Sequence, residues 1–116
     1  MKRQPRVRGA VRTQVDGISF ASKKEATRYG ELKLLEKAGQ IAGLELQVRF
    51  PIFVNNVLIC HYVADFCYWE WVSRGEGQEV LNYVVEDAKG MRTEIYRLKK
   101  KLFEATNTTG LKIRET

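Results

Sequence analysis

The sequence contains few of the residues that bind zinc or form disulfides. It has one histidine and two cysteines among 116 residues, and no Cys-x-x-Cys pair. Cys60 and Cys67 lie on one candidate strand at an odd spacing, which places them on opposite faces, so we expect no disulfide between them. A thiolate zinc site is not indicated either. We expect two buried, reduced thiols in a cytosolic protein.

Long apolar runs are also absent. A membrane-spanning helix needs about 18 or more consecutive apolar residues, and no such run occurs. The basic segment 1–8 is not followed by an apolar stretch, so a secretory signal is not expected. The length of 116 residues, 44% of them apolar and 29% charged, is typical of one globular domain. We therefore expect a basic flexible arm over residues 1–15 and a single domain over residues 16–116.

Positive charge is in excess, and it is clustered. The net charge is +6. One basic group precedes the first acidic residue, Asp16, and the other follows residue 90. The cations that we expect to bind DNA are Lys2, Arg3, Arg6, Arg8 and Arg12 in the arm and Arg97, Lys99, Lys100 and Lys101 in the second group. Such clusters are typical of nucleic-acid-binding proteins, although a charged face that is merely solvated is the alternative.

The hydrophobic pattern predicts two helices and four main strands. Ser22 is a candidate N-cap for a helix over residues 22–38, which ends at Gly39. Strands are predicted over residues 44–53, 57–71 and 79–89, with a tight turn at Asn55 and Asn56. A second helix over residues 93–105 should bury the face that carries Ile95, Leu98, Leu102 and Ala105, and a short strand follows over residues 111–114. The order α-β-β-β-α-β predicts an α/β fold in which helices flank a mixed sheet.

On the second helix, the same pattern separates the lysines. Lys99 should border the buried stripe, whereas Lys100 and Lys101 should face outward and contact phosphate.

Two acidic residues lie in or at the end of predicted strands. Asp65 lies within an apolar run, where an unpaired charge is costly unless an arginine, backbone donors or a metal compensates it; an edge position that faces water is the alternative. Asp87 and Lys89 share a face because strand side chains alternate, and Glu86 points to the other face. We take Asp87 as the functional acid, although a local bulge would exchange it with Glu86.

Glu25 is a third candidate acid, and two interpretations of the role of its side chain have equal weight. It lies on the apolar side of the first helix, with Tyr29 and Leu32 at the following helical positions, so its carboxylate can point toward the sheet. It also stands where a capping box with Ser22 requires a glutamate.

These residues suit a metal-dependent hydrolysis. The carboxylates of Asp65 and Asp87, with the backbone carbonyl of Ala88 between Asp87 and Lys89, are oxygen ligands suited to Mg²⁺ or Mn²⁺. Such an ion activates water and offsets charge on a phosphate, while Lys89 orients the nucleophile or contacts the phosphate. Cleavage of phosphodiester bonds is the chemistry that this set favours.

The chain resembles the PD-(D/E)XK nuclease superfamily and, more narrowly, a family of small phage-encoded proteins of uncharacterised function. The resemblance covers nearly all of residues 16–114, and the segments that carry it are Asp16-Gly17-Ile18-Ser19-Phe20, Ser22-Lys23-Lys24-Glu25-Ala26, Leu44-Glu45-Leu46-Gln47, Tyr62-Val63-Ala64-Asp65-Phe66, Val85-Glu86-Asp87-Ala88-Lys89-Gly90 and Tyr96-Arg97-Leu98-Lys99-Lys100-Lys101. One departure from the superfamily pattern is that no proline precedes Asp65.

The resemblance implies a restriction-endonuclease-like fold and a Mg²⁺-dependent DNA endonuclease. It assigns Glu25, Asp65 and Asp87 as the acidic residues, with Glu25 a metal ligand directly or through water, and Lys89 as the signature lysine. Holliday-junction resolvases belong to the superfamily, so branched DNA and phage recombination or packaging intermediates are the implied substrates. DNA is the implied partner, a homodimer is one option, and the implied location is the cytoplasm of a phage-infected or prophage-bearing bacterium. The alternative is a DNA-binding or recruiting module that keeps the fold without catalysis.

Overall fold

The computed structural model describes residues 12–88 and 92–116. The helices in these ranges are α1 (Lys23–Lys37) and α2 (Glu94–Thr106), and the strands are β1 (Thr13–Val15), β2 (Ile18–Phe20), β3 (Ile41–Val54), β4 (Val57–Ser73), β5 (Glu79–Asp87) and β6 (Ile113–Glu115). The predicted order α-β-β-β-α-β is confirmed, and the small hairpin of β1 and β2 precedes it. No helix in the described ranges has both the length and the apolar character needed to cross a membrane.

The main sheet has the strand order β3-β4-β5-β6. The first three strands are antiparallel and β6 runs parallel to β5, so the sheet is mixed, as predicted. The turn between β3 and β4 lies at Asn55 and Asn56, whose φ angles of 49° and 64° suit a two-residue hairpin. β3 begins earlier than predicted because a bulge between Ala42 and Glu45, with Gly43 at φ 66°, lets the pairing with β4 continue.

The two helices pack on two separate hydrophobic clusters. The α1 core contains Ala26, Tyr29 and Leu32 of α1 together with Phe66 and Val84 of the sheet. The α2 core is a second set of buried residues on α2 and the sheet; its members include Tyr62, Ala64, Cys67, Val85, Tyr96, Phe103 and Ile113. The protein is therefore an α/β domain with a helix on each face of one sheet.

Part of the predicted arm is structured. Thr13–Val15, which we placed in the arm, pairs as β1 with Ile18–Phe20. Arg12 Nε donates a hydrogen bond to the Ser19 hydroxyl at 3.3 Å, so this cation is held against the hairpin. The other arm cations, Lys2, Arg3, Arg6 and Arg8, lie outside the described residues, and so does Lys89.

The predicted buried face of α2 was wrong in part: Leu102 packs against the α2 core, but the rest of the buried face is different. Ile95 and Leu98 are 67% and 59% exposed, whereas Tyr96 and Phe103 are buried. The ring of Phe103 lies 5.1 Å from that of Phe50 and 5.2 Å from that of Tyr62. Aromatic rings bury more apolar area than aliphatic side chains, so these contacts set the rotation of the helix.

The alternation of side chains in the sheet reverses at Gln47. Leu46 packs on the α1 core and Val48 on the α2 core, although both positions are even and an unbroken strand would place them on one face. Gln47 between them has φ 53°, a left-handed conformation that is uncommon for this residue type. On β4, opposite, Ala64 belongs to the α2 core and Phe66 to the α1 core, so the same reversal occurs around Asp65.

This reversal corrects the prediction for the cysteines. Cys60 and Cys67 both pack on the α2 core and not on opposite faces, because the break in alternation lies between them. Both thiols are free; Cys67 is buried and Cys60 is half-buried. Burial raises the pKa of the Cys67 thiol to about 11, so this group stays protonated at neutral pH.

Candidate active site

Asp65 lies on β4 where the alternation reverses, and it is only 3% exposed. Its Oδ2 accepts a hydrogen bond from the backbone amide of Ala88 at 2.9 Å, and its Oδ1 lies 3.5 Å from Gln47 Nε2. Asp65 is thus directed at the end of β5 and not at bulk water, the alternative that its sequence context had left open.

Glu25 lies in the first turn of α1 and is also buried. The Ser22 hydroxyl accepts a hydrogen bond from the backbone amide of Glu25 at 3.1 Å, which makes Ser22 the N-cap of α1, as predicted. The carboxylate of Glu25 accepts a hydrogen bond from Gln47 Nε2 at 3.1 Å. One side-chain amide therefore links Glu25 to Asp65.

Asp87 ends β5 and is 1% exposed. The β4–β5 register ends at the pair Phe66–Glu86, so Asp65 and Asp87 directly follow the last paired positions of the two strands. The Tyr62 hydroxyl donates a hydrogen bond to Asp87 Oδ2. Burial, followed by this hydrogen bond, raises the pKa of Tyr62 well above its ordinary value, so Tyr62 remains a neutral donor to the carboxylate.

Glu86 belongs to a different polar network, on the α1 side of the sheet. Its carboxylate accepts hydrogen bonds from Arg28 Nε at 2.7 Å and Nη2 at 2.9 Å, and one from the Thr116 hydroxyl at 3.1 Å. Tyr68 donates to it as well, and burial together with this bond raises the pKa of Tyr68 to about 12. Glu86 and Asp87 therefore have different partners, Arg28, Tyr68 and Thr116 for Glu86 and Tyr62 for Asp87.

Most of the chain matches a known protein family. A family model with the description "Protein of unknown function (DUF1064)" matches residues 7–114. The chain belongs to this family. No curated protein and no solved structure matches it. The family carries no assigned activity, so the function of this DUF1064 domain rests on its own residues.

Glu25 and Asp65 present carboxylate oxygens that the side-chain amide of Gln47 joins. Carboxylate oxygens are ligands that Mg²⁺ takes in proteins, commonly one or two of them with water and substrate phosphate as the other ligands. Within residues 12–88 and 92–116, no three acidic, histidine or cysteine side chains form a larger metal-binding group.

The exposure of the basic side chains on α2 differs in part from the prediction. Lys100 is half-buried, and its Nζ lies 3.4 Å from Glu115, so it pairs with a carboxylate of the protein. Arg97 and Lys101 are exposed. Lys99 is half-buried and lines a cavity of about 220 Å³ together with Tyr62. Tyr62 also contacts Asp87, so Lys99 and Asp87 have Tyr62 as a common neighbour.

Two residues of the site were not singled out from the sequence. Gln47 lies in a segment that carried the family resemblance, but a polar residue on a strand is most often solvated, and its left-handed backbone has no sequence signature. Tyr62 also lies in such a segment, where an aromatic residue in an apolar run indicates a core position. The hydroxyl group that reaches Asp87 was the missed signal.

Proposed function

We propose that this DUF1064 domain is a Mg²⁺- or Mn²⁺-dependent DNA endonuclease. The observation that supports it is the cluster in which Gln47 Nε2 lies 3.1 Å from Glu25 and 3.5 Å from Asp65. Two buried carboxylates linked by one amide are costly to fold unless the site has a use for their charge. The confirmed α-β-β-β-α-β order supports a restriction-endonuclease-like fold and PD-(D/E)XK membership as part of the same proposal.

Glu25 and Asp65 would hold the cation, with Asp87 as the third acid. When bound, the ion lowers the pKa of a coordinated water and offsets the charge that develops on the scissile phosphate. The protein residues position the ligands. The Ala88 amide fixes the Asp65 carboxylate, Gln47 holds Glu25 beside it, and Tyr62 orients Asp87.

The proposed role of Lys89 follows from the alternation of side chains along a strand. It stands two residues after Asp87, so we place its amine beside the acids, where it orients the nucleophile or contacts the phosphate. The proposed substrates are branched DNA and phage recombination or packaging intermediates, in the cytoplasm of the infected or prophage-bearing cell, with the homodimer as one option for the assembly.

The test is a cleavage assay on branched, flapped and linear DNA in Mg²⁺, Mn²⁺ or EDTA. Asp65→Asn and Asp87→Asn keep shape and remove charge, so cleavage should fall by about 100-fold or more while the fold persists. Glu79→Gln is the matched control, because Glu79 is exposed at the other end of β5 from Asp87 and should leave the rate unchanged. Equal rates in the parent and in Asp65→Asn would contradict the proposal.

The second candidate is a DNA-binding or recruiting module without catalysis. The observation that favours it is that the described residues contain no group of three metal-ligating side chains. Salt-sensitive DNA binding by the parent, with no cleavage of any of the three DNA forms in either metal, would select this function.

A further inference from the structure

A cavity of about 460 Å³ lies between α1 and the end of β5. Lys23, Lys24 and Thr27 form the α1 side, and Ala88 and Thr116 form the side of the sheet. This volume is within the range of about 300–1,000 Å³ that small ligand sites occupy, and none of the functions assigned to the acids requires it.

The cavity adjoins the proposed catalytic acids. Ala88 lines it, and the backbone amide of Ala88 donates the 2.9 Å hydrogen bond to Asp65. Glu25 follows Lys24 directly in the chain and turns to the buried side of the same helical turn. A ligand in the cavity is therefore separated from the carboxylates by the thickness of one residue.

Lys23 and Lys24 supply the available positive charge of the cavity. Both are exposed, and neither forms an ion pair with any residue that the structure describes. Arg28 and Glu31 also line the cavity, but Arg28 is bound to Glu86 at 2.7 Å and to Glu31 at 3.2 Å, so those charges offset one another.

The acids thus have lysines on both sides. Lys99 shares a cavity with Tyr62, the residue that donates to Asp87, on the α2 side. Lys23 and Lys24 share the larger cavity with Ala88 on the α1 side. A polyanionic strand that crosses the acids would meet a cation before and after the point of cleavage.

We infer that the larger cavity holds a nucleotide of the bound DNA strand, with Lys23 and Lys24 on its phosphate. This inference rests on the proposed function and adds the position of the strand. Thr27 and Thr116 line the cavity beside the sugar or base, and Lys23 and Lys24 are exposed, as contact with the charged backbone of a bound strand requires.

The first experiment compares two double variants that lose the same charge from the same helix. Lys23→Ala/Lys24→Ala removes the cavity lysines, and Lys33→Ala/Lys37→Ala removes two lysines from the other half of α1. Binding of fluorescein-labelled flapped DNA is titrated with salt in EDTA, so that no cleavage occurs. The cavity variant should bind about 10-fold more weakly, and its slope of log K against log salt should be shallower by about two. The control should keep the slope of the parent.

The second experiment fills the cavity without a change of charge. Thr27→Trp places a large ring at an exposed position of the cavity wall, so the fold should persist and DNA binding should weaken with the salt slope unchanged. Identical slopes for the two lysine doubles, or parental affinity in Thr27→Trp, would overturn the inference and leave the nuclease proposal intact. A parent protein that binds no DNA would overturn both this inference and the nuclease proposal. Competition by a free mononucleotide at micromolar concentration would assign the cavity to a free nucleotide and would overturn the assignment to a DNA strand.

Discussion

Arg28 and Glu86 are joined by two hydrogen bonds, from Arg28 Nε at 2.7 Å and Nη2 at 2.9 Å, across 58 positions of sequence. Glu86 is fully buried, and the guanidinium group of Arg28 is partly exposed. The pair fastens the first half of α1 to the end of β5. It therefore holds together the two elements that carry Glu25 and Asp87.

Removal of this arginine should destabilise the protein strongly. Arg28→Ala leaves the Glu86 carboxylate buried without its cation, and breaking a buried ion pair in this way costs about 3–5 kcal/mol. Urea denaturation gives the free energy of unfolding. Arg97→Ala is the control, since Arg97 is exposed on α2 and should change stability by less than about 0.5 kcal/mol. Similar losses in the two variants would show that the Arg28–Glu86 pair contributes little.

The helix bounds and the order of the helices and strands along the chain were predictable because local signals determine them. Ser22 caps α1 and Asn55-Asn56 forms the turn between two strands, and both signals act within a few residues. The rotation of α2 was not predictable in the same way. Tyr96 and Phe103 are buried by contact with rings on β3 and β4, and the spacing of residues within the helix contains no information on those partners.

The candidate site was predictable as a set of acids but not as a geometry. Asp65 and Asp87 were identified from charges in apolar strands, and both are buried where the β4–β5 pairing ends. The reversal at Gln47 depends on a φ of 53° that glutamine rarely adopts, so a strict period of two was the only available expectation. That expectation also misplaced Cys60 relative to Cys67.

Low pH should reduce the free energy of unfolding, partly through protonation of Glu70. Its carboxylate accepts two hydrogen bonds from Arg114, at 2.7 and 3.0 Å, and these bonds lower the pKa of Glu70 in the folded state. A lowered folded pKa gives stability that is fully present above the ordinary carboxyl pKa of about 4.3 and is lost as the pH falls through the folded value.

The measurement is the free energy of unfolding from about pH 6 to pH 3. The parent should lose more stability over this interval than Glu70→Gln, which has no carboxylate to protonate at this position. Glu79→Gln, changed at an exposed residue at the start of β5, should follow the parent curve. Parallel curves for the parent and Glu70→Gln would show that the Arg114 pair makes no contribution to acid sensitivity.

Lys89 should affect the chemical step more than DNA affinity. The sequence predicts that Lys89 shares a face with Asp87, and one cation among 20 lysines and arginines contributes little to total binding. Lys89→Ala should therefore reduce single-turnover cleavage by about 100-fold and change the DNA dissociation constant by less than about 3-fold. Lys101→Ala, at an exposed position of α2, is the control for loss of one charge. Equal losses of binding and of rate in Lys89→Ala would contradict the assignment.

Gln47 should matter through its amide and not through its backbone. Its φ of 53° is a conformation that glycine adopts without strain, so Gln47→Gly should keep the reversal of the sheet and hold the free energy of unfolding within about 1 kcal/mol of the parent. The same change removes the Nε2 group that lies 3.1 Å from Glu25 and 3.5 Å from Asp65. We expect weaker binding of Mn²⁺, measured by electron paramagnetic resonance, and slower cleavage, each by about 10-fold, because the two carboxylates lose the donor that holds them side by side.

The control is Asn56→Gly, which makes a similar backbone change at φ 64° in the β3–β4 turn and should leave Mn²⁺ binding unaltered. Parental Mn²⁺ affinity in a well-folded Gln47→Gly would remove Gln47 from the site.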